Sequence, residues 1–118
     1  MHKNWAQIAK DLSGLMGDAR KSAPDVWTAF SGLAKAATAP GELNTKTKEL
    51  IALALGIAAR CDGCLAFHAK AIAQLGGTRA EVLEVISMAV YMGGGPSAIY
   101  GAQALEAFDQ FVSLKPSV

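Results

Sequence analysis

Charged residues and long apolar runs are both scarce in this sequence, and each scarcity excludes a class of function. Charged residues make up 18% of the 118 residues, and the net charge of +1 is not gathered into a basic cluster. We therefore expect no nucleic-acid partner. The longest apolar run, Leu50 to Ala59, is too short to span a bilayer. Because no signal-peptide-like run follows the polar N-terminus either, we expect a cytoplasmic protein that does not bind membranes.

Aromatic residues are also few, at 7% of the chain, and β-branched residues are scattered rather than clustered. Alanine is abundant, and hydrophobic residues as a whole reach 52%. This balance favours helix over strand. We predict an all-α protein with a single domain over residues 1–118, a length sufficient to bury a core.

Apolar spacing, caps and breakers predict about six helices. Trp5 and Trp27 fall on the apolar stripes of the first two and are expected in the core. The six are expected over residues 3–20, from Pro24 to the Ala39–Gly41 turn, from Asn44 to about Arg60, from the cysteine motif to about Leu75, from Thr78 to the glycines at 93–95, and from Pro96 or Ser97 onward.

The third and fifth helices have almost no polar face. Residues 50–59 are apolar on every side, and residues 82–92 are nearly so. A helix of this kind is normally buried all round, which a monomer of 118 residues can hardly achieve. We therefore predict a homo-oligomer in which a neighbouring subunit covers part of these helices.

Both cysteines lie in one short motif, Cys61-x-x-Cys64-x-x-x-His68. In a reducing cytosol, a close cysteine pair is more often catalytic or metal-binding than structural. A structural zinc site needs four ligands, whereas the motif offers three and the only other histidine is His2. Two inert buried cysteines are the simplest alternative. The close spacing and the nearby histidine favour a redox centre instead.

The expected helix start at this motif favours a reactive thiolate. Unpaired backbone N–H groups at a helix N-terminus can lower a cysteine pKa from about 8.5 to between roughly 3.5 and 7.5. His68 follows Cys64 by one helical turn, so Cys64 is the thiol best placed for activation, and Cys61 is then the resolving partner. The reverse assignment remains open, because the N-terminal cysteine is the nucleophile in many two-cysteine sites.

The motif and the residues before it resemble the alkylhydroperoxidase D (AhpD)-like branch of the carboxymuconolactone decarboxylase family. The run Glu49-Leu-Ile-Ala-Leu-Ala precedes the first cysteine by the family spacing of 61 − 49 = 12 residues, and the match is clearest over residues 42–92. The resemblance implies a helical fold that assembles as trimers or hexamers. It also implies that Cys64 reacts with a peroxide or disulfide, that Cys61 resolves it, and that Glu49 and His68 relay the proton.

In function, the resemblance implies a thiol-dependent peroxidase or disulfide reductase without a cofactor, reduced by an external dithiol or a reductase protein. The alternatives are a carboxymuconolactone-type decarboxylase and a non-enzymatic redox-sensing assembly protein. One departure shortens the proton relay: Gly63 stands where characterised peroxidases of this branch carry a histidine.

Glu49 needs a specific fold to reach the motif. Twelve residues along one straight helix would place it about 18 Å from Cys61. The chain must therefore reverse near Arg60, or Glu49 must act across a subunit boundary. The simpler alternative is that Glu49 forms a surface ion pair with Lys46, three residues earlier.

Overall fold

The computed structural model describes residues 1–115, and six α-helices account for most of them. This confirms the predicted all-α class and the six helices. Their bounds are α1 Trp5–Ser22, α2 Pro24–Thr38, α3 Thr45–Ala59, α4 Asp62–Gln74, α5 Arg79–Gly93 and α6 Gly95–Leu114. No helix within residues 1–115 combines the length and apolar character needed to cross a bilayer.

Short polar side chains begin several of these helices, as predicted for Asn44 and Thr78. Asn4 accepts the backbone N–H of Gln7 at the start of α1, and Asn44 accepts that of Thr47 at the start of α3. At α5, Thr78 and Glu81 form a reciprocal capping box. The hydrogen bond from the Thr78 N–H is the main cause that lowers the pKa of Glu81.

Helix α4 lies at the centre of the fold, in contact with α1, α3 and α6. Leu65, Ala66, Ala69 and Ile72 of α4 are fully buried. The small alanine side chains let neighbouring helices approach closely, while Leu53 and Ile57 of α3 fill the space on one side. The cysteine motif thus begins the most enclosed helix of the molecule.

Two side chains of α6, Glu106 and Gln110, hold the N-terminal segment against this helix. Glu106 accepts hydrogen bonds from the backbone N–H groups of His2 at 2.7 Å and Lys3 at 3.0 Å, and from the indole of Trp5 at 2.7 Å. The bond from His2 contributes most to lowering the pKa of Glu106 to about 2. Trp5 is fully buried, which confirms its prediction as a core aromatic.

Helix α2 differs from the prediction, because none of its residues is buried. Val26, Phe30 and Leu33 of its apolar stripe are exposed, and Trp27 is only half-buried. The prediction of Trp27 as a core residue is therefore wrong: α2 packs mainly on α1 at the edge of the bundle, so no second layer of the same chain covers its stripe. The nearly all-apolar helices α3 and α5 are likewise only partly covered, since Leu55, Met88 and Tyr91 are exposed.

Candidate functional site

A tight reversal between α3 and α4 positions the cysteine motif. Arg60 ends α3 in the left-handed region, with φ 55° and ψ 51°, and the chain turns directly into Cys61. Cys61 is the N-cap of α4, and its Sγ accepts the backbone N–H of Cys64 at 3.1 Å. The two cysteines form a disulfide with their Cα atoms 5.2 Å apart.

The same reversal brings Glu49 to His68. The Oε2 atom of Glu49 lies 2.7 Å from Nδ1 of His68, and the Glu49 side chain is only 11% exposed. Glu49 therefore reaches the site within one subunit, by the chain reversal near Arg60 rather than across a subunit boundary. Lys46, the alternative partner, instead forms an ion pair with Glu81 at 3.0 Å. The structure thus brings together all four predicted site residues.

Gly56 allows this close approach of α3 and α4. A Cβ atom at position 56 would lie 3.0 Å from Cβ of Cys64, which is tighter than an ordinary van der Waals contact. A larger residue at position 56 would require Cys64 to shift. Gly56 is a positioning residue that the sequence analysis did not single out, since a glycine within a helix is locally ambiguous.

A largely apolar cavity opens onto the disulfide. Its volume is about 670 Å³, and Cys61, Cys64 and His68 lie on the side formed by α4. The opposite walls come from α1 and α2 and are formed by Leu12, Ser13, Met16, Gly17, Arg20, Trp27, Phe30, Ser31 and Ala34. A molecule bound here would meet both sulfur atoms and the imidazole together.

Leu12 of α1 occupies the space beside Gly63. A Cβ atom at position 63 would lie 2.7 Å from Cδ1 of Leu12. The position that carries a histidine in the AhpD-like peroxidases is thus filled by an apolar side chain from another helix. The imidazole at this site is that of His68, and Glu49 lies behind it in hydrogen-bond contact.

A lysine from the N-terminal segment contacts the residue between the cysteines. The Nζ atom of Lys3 lies 2.6 Å from Oδ2 of Asp62, and both side chains are about one-third exposed. The ion pair offsets a negative charge that would otherwise stand beside the two thiols. Sequence analysis missed it, because a contact over 59 residues leaves no local pattern.

The arrangement suits thiol–disulfide chemistry and offers no evident metal centre. Within residues 1–115, no group of three or more histidine, cysteine and acidic side chains is placed to hold a metal ion. A cysteine pair at a helix N-terminus can cycle between dithiol and disulfide, while the histidine exchanges protons.

Comparison with known proteins identifies the family to which this chain belongs. The sequence profile of the carboxymuconolactone decarboxylase family matches residues 24–107. The chain belongs to that family, which confirms the resemblance predicted from Glu49 and the cysteine motif. An uncharacterized protein of Cupriavidus necator is 42% identical over 96 residues, or 81% of this chain and 82% of that protein.

Two solved structures extend the comparison. A family protein from Legionella pneumophila, 51% identical, matches with a TM-score of 0.90 over 92% of this chain and 96% of its own. A family protein from Thermotoga maritima, suggested to act in an antioxidative response, is 25% identical, with a TM-score of 0.70 over 84% of this chain and 91% of its own.

Proposed function

We propose that this protein is a thiol-dependent peroxidase or disulfide reductase of the AhpD-like kind, acting in antioxidant defence. The observation that carries the proposal is the convergence of the Cys61–Cys64 pair and His68, itself bonded to Glu49, on one cavity. The antioxidative role suggested for the Thermotoga maritima relative supports it.

In the proposed cycle, the Cys64 thiolate attacks the terminal oxygen of a hydroperoxide. The O–O bond breaks, the sulfur becomes a sulfenic acid, and the leaving alkoxide takes a proton to become an alcohol. The Cys61 thiol then displaces water from the sulfenic acid to close the disulfide. Two electrons pass from the two thiols to the peroxide, and an external dithiol, itself oxidised to a disulfide, returns them.

The protein groups have distinct proposed roles. His68 accepts the thiol proton of Cys64 and donates it to the departing oxygen, while Glu49 fixes the ring and its tautomer. Cys61 serves as the resolving thiol. The backbone N–H of Cys64 donates to Cys61 Sγ, and this hydrogen bond would also stabilise a thiolate at Cys61. Either cysteine could therefore have the lower pKa, and the labelling rates of the two cysteines decide which one does.

The experiment mixes reduced protein, freed of reductant, with a hydroperoxide, and adds dithiothreitol as the electron source only after the thiols have been counted. Wild type should lose two thiols for each hydroperoxide reduced. Cys61→Ser should stop at a sulfenic acid on Cys64, which dimedone traps, and Cys64→Ser should leave the peroxide untouched. The double serine variant is the matched control. Two free thiols in folded wild-type protein after peroxide treatment would overturn the proposal.

The proposed active form is a homo-oligomer, a trimer or a hexamer. Support comes from large apolar side chains exposed on α3 and α5, among them Leu55, Met88, Tyr91 and Met92. Sedimentation at micromolar concentration should give a mass several times the 12.2 kDa of one chain. A stable monomer would contradict this assembly while leaving the cysteine chemistry unaffected.

A further inference from the structure

The cavity above the disulfide has an uneven distribution of charge. Most of its lining is apolar, and the lining includes no carboxylate. Arg20 of α1 is the one lining residue with a permanent positive charge, since the charge of His68 depends on protonation. An anion entering this cavity would therefore meet an attractive charge and no acidic side chain of the wall.

Arg20 is held in place without being neutralised. Its Nη2 atom donates a hydrogen bond to Oγ of Ser31 at 2.6 Å, which links α1 to α2 across the cavity wall. No salt bridge to Arg20 forms within residues 1–115. A guanidinium has five N–H donors in a planar fork that matches a carboxylate, so donors remain after the bond to Ser31.

The position of Arg20 along α1 separates it from the cysteines. Leu12 marks the cysteine end of the cavity, because it lies against Gly63. Arg20 is eight residues further along the same helix, or about 12 Å at 1.5 Å per residue. An extended hydrocarbon advances about 1.25 Å per bond, so roughly ten bonds span this distance. The apolar walls between the two ends are suited to such a chain.

We propose that the cavity selects hydroperoxides of apolar-chain carboxylic acids, with Arg20 binding the carboxylate while the cysteine pair reduces the hydroperoxide. The inference rests on the proposed peroxidase function and names its substrate class. Arg20 is a specificity-determining residue in this scheme, because it touches a part of the substrate that does not react.

The kinetic test uses one hydroperoxide in charged and neutral forms. Reduced protein is mixed with the 9-hydroperoxide of linoleic acid or with its methyl ester, below the concentration at which either aggregates, and thiol loss is followed. Wild type should react about tenfold faster with the acid, the effect of one exposed charge-assisted hydrogen bond. Arg20→Gln should remove that preference, so that the variant reacts at equal rates with the acid and the ester. Lys21→Gln is the matched control, since Lys21 is exposed and absent from the cavity wall.

Equal wild-type rates with acid and ester, or an Arg20→Gln variant that slows both alike, would overturn the inference. A binding measurement separates this failure from failure of the peroxidase proposal. Decanoate and 1-decanol are titrated into the oxidised protein by calorimetry, where no thiol chemistry occurs. Suppose that hydroperoxides leave the thiols intact while Arg20→Gln weakens the binding of decanoate but not of 1-decanol. That result would support the carboxylate site and contradict the peroxidase function. Decanoate binding that is unaffected by Arg20→Gln removes the site.

Discussion

Helices α4 and α2 form opposite sides of one cavity, yet they are held in place very differently. Five residues of α4 are buried, whereas α2, which is slightly longer, buries none. Helix α4 carries the cysteines and His68 in the middle of the bundle. Beyond its packing on α1, α2 is tied down at its C-terminal end, where Thr45 bonds to the carbonyl of Thr38 at 2.8 Å.

This difference in packing separates two requirements of the proposed redox site: a fixed geometry around the cysteines and a cavity wall that can open. The cysteines and His68 lie at the start of the best-packed helix, α4, and Glu49 of the neighbouring α3 holds the His68 ring by a hydrogen bond. The opposite wall of the cavity belongs to the least-buried helix, α2, and elements with few buried contacts open locally at little free-energy cost. We therefore expect any opening of the cavity to occur at α2 rather than at the disulfide or the Glu49–His68 pair.

The largest expected effect compares one leucine from each region. Leu53→Ala removes a fully buried side chain that packs beside α4, and should lower the free energy of unfolding by about 2 to 5 kcal/mol. Leu33→Ala on α2, where the side chain is 65% exposed, should change it by at most about 0.5 kcal/mol. Urea unfolding of both variants measures the contrast. A cost above about 2 kcal/mol for Leu33→Ala that grows with protein concentration would show that a second copy covers α2.

A smaller effect is expected within the rigid region itself. His68→Gln should slow iodoacetamide labelling of Cys64 at neutral pH by about tenfold, the effect of one pKa unit on a minority thiolate. Glu49→Gln should act in the same direction but less strongly, because it acts only through the ring. Peptide mass spectrometry after reduction gives the rate at each cysteine over a range of pH. If Cys61 labels faster than Cys64 at pH 7 and His68→Gln alters neither rate, the roles of the two thiols are exchanged.

The smallest effect concerns the N-terminal segment that Glu106 holds to the bundle. The pKa of this carboxyl is lowered to about 2 in the folded protein, from an ordinary 4.5. Glu106 therefore stabilises the fold above about pH 4.5, and this contribution is lost as pH falls through the folded pKa near 2. Urea midpoints should fall less steeply between pH 5 and about pH 2 in Glu106→Gln than in wild type. Glu84→Gln, at an exposed position of α5, is the control and should keep the wild-type slope.

Local patterns were sufficient to predict the helices, and the family spacing was sufficient to indicate that Glu49 and His68 would lie together beside the cysteine pair. Each of these signals lies within a few helical turns of sequence: the cap at Asn44, the cap at Thr78, and the spacing of Glu49 from the cysteine motif. The sequence indicated that Glu49 could reach the motif in only two ways, by a reversal of the chain near Arg60 or from a second subunit. The choice between the two depended on Arg60 and Gly56, whose tight geometry is a tertiary property.

Other features were not accessible from the sequence. The apolar stripe of α2 indicates that another protein surface should cover it, but not whether that surface belongs to the same chain. Trp27 was wrongly predicted to be a core residue for this reason. The contacts of Lys3 with Asp62 and of Glu106 with His2 join residues 59 and 104 positions apart, and single charges of this kind carry no periodicity. The link between Arg20 and Ser31 depends on how two helices pack side by side.

The cap that Cys61 provides for α4 ties the backbone to the redox state. One sulfur of the disulfide also accepts the amide hydrogen of Cys64, so reduction of the disulfide changes the acceptor of that hydrogen bond. If Cys61 is a thiolate in the reduced protein, its sulfur is a stronger acceptor than a disulfide sulfur, and the first turn of α4 is then better capped. The rate at which the Cys64 amide hydrogen exchanges with deuterium should therefore differ between the reduced and the oxidised protein.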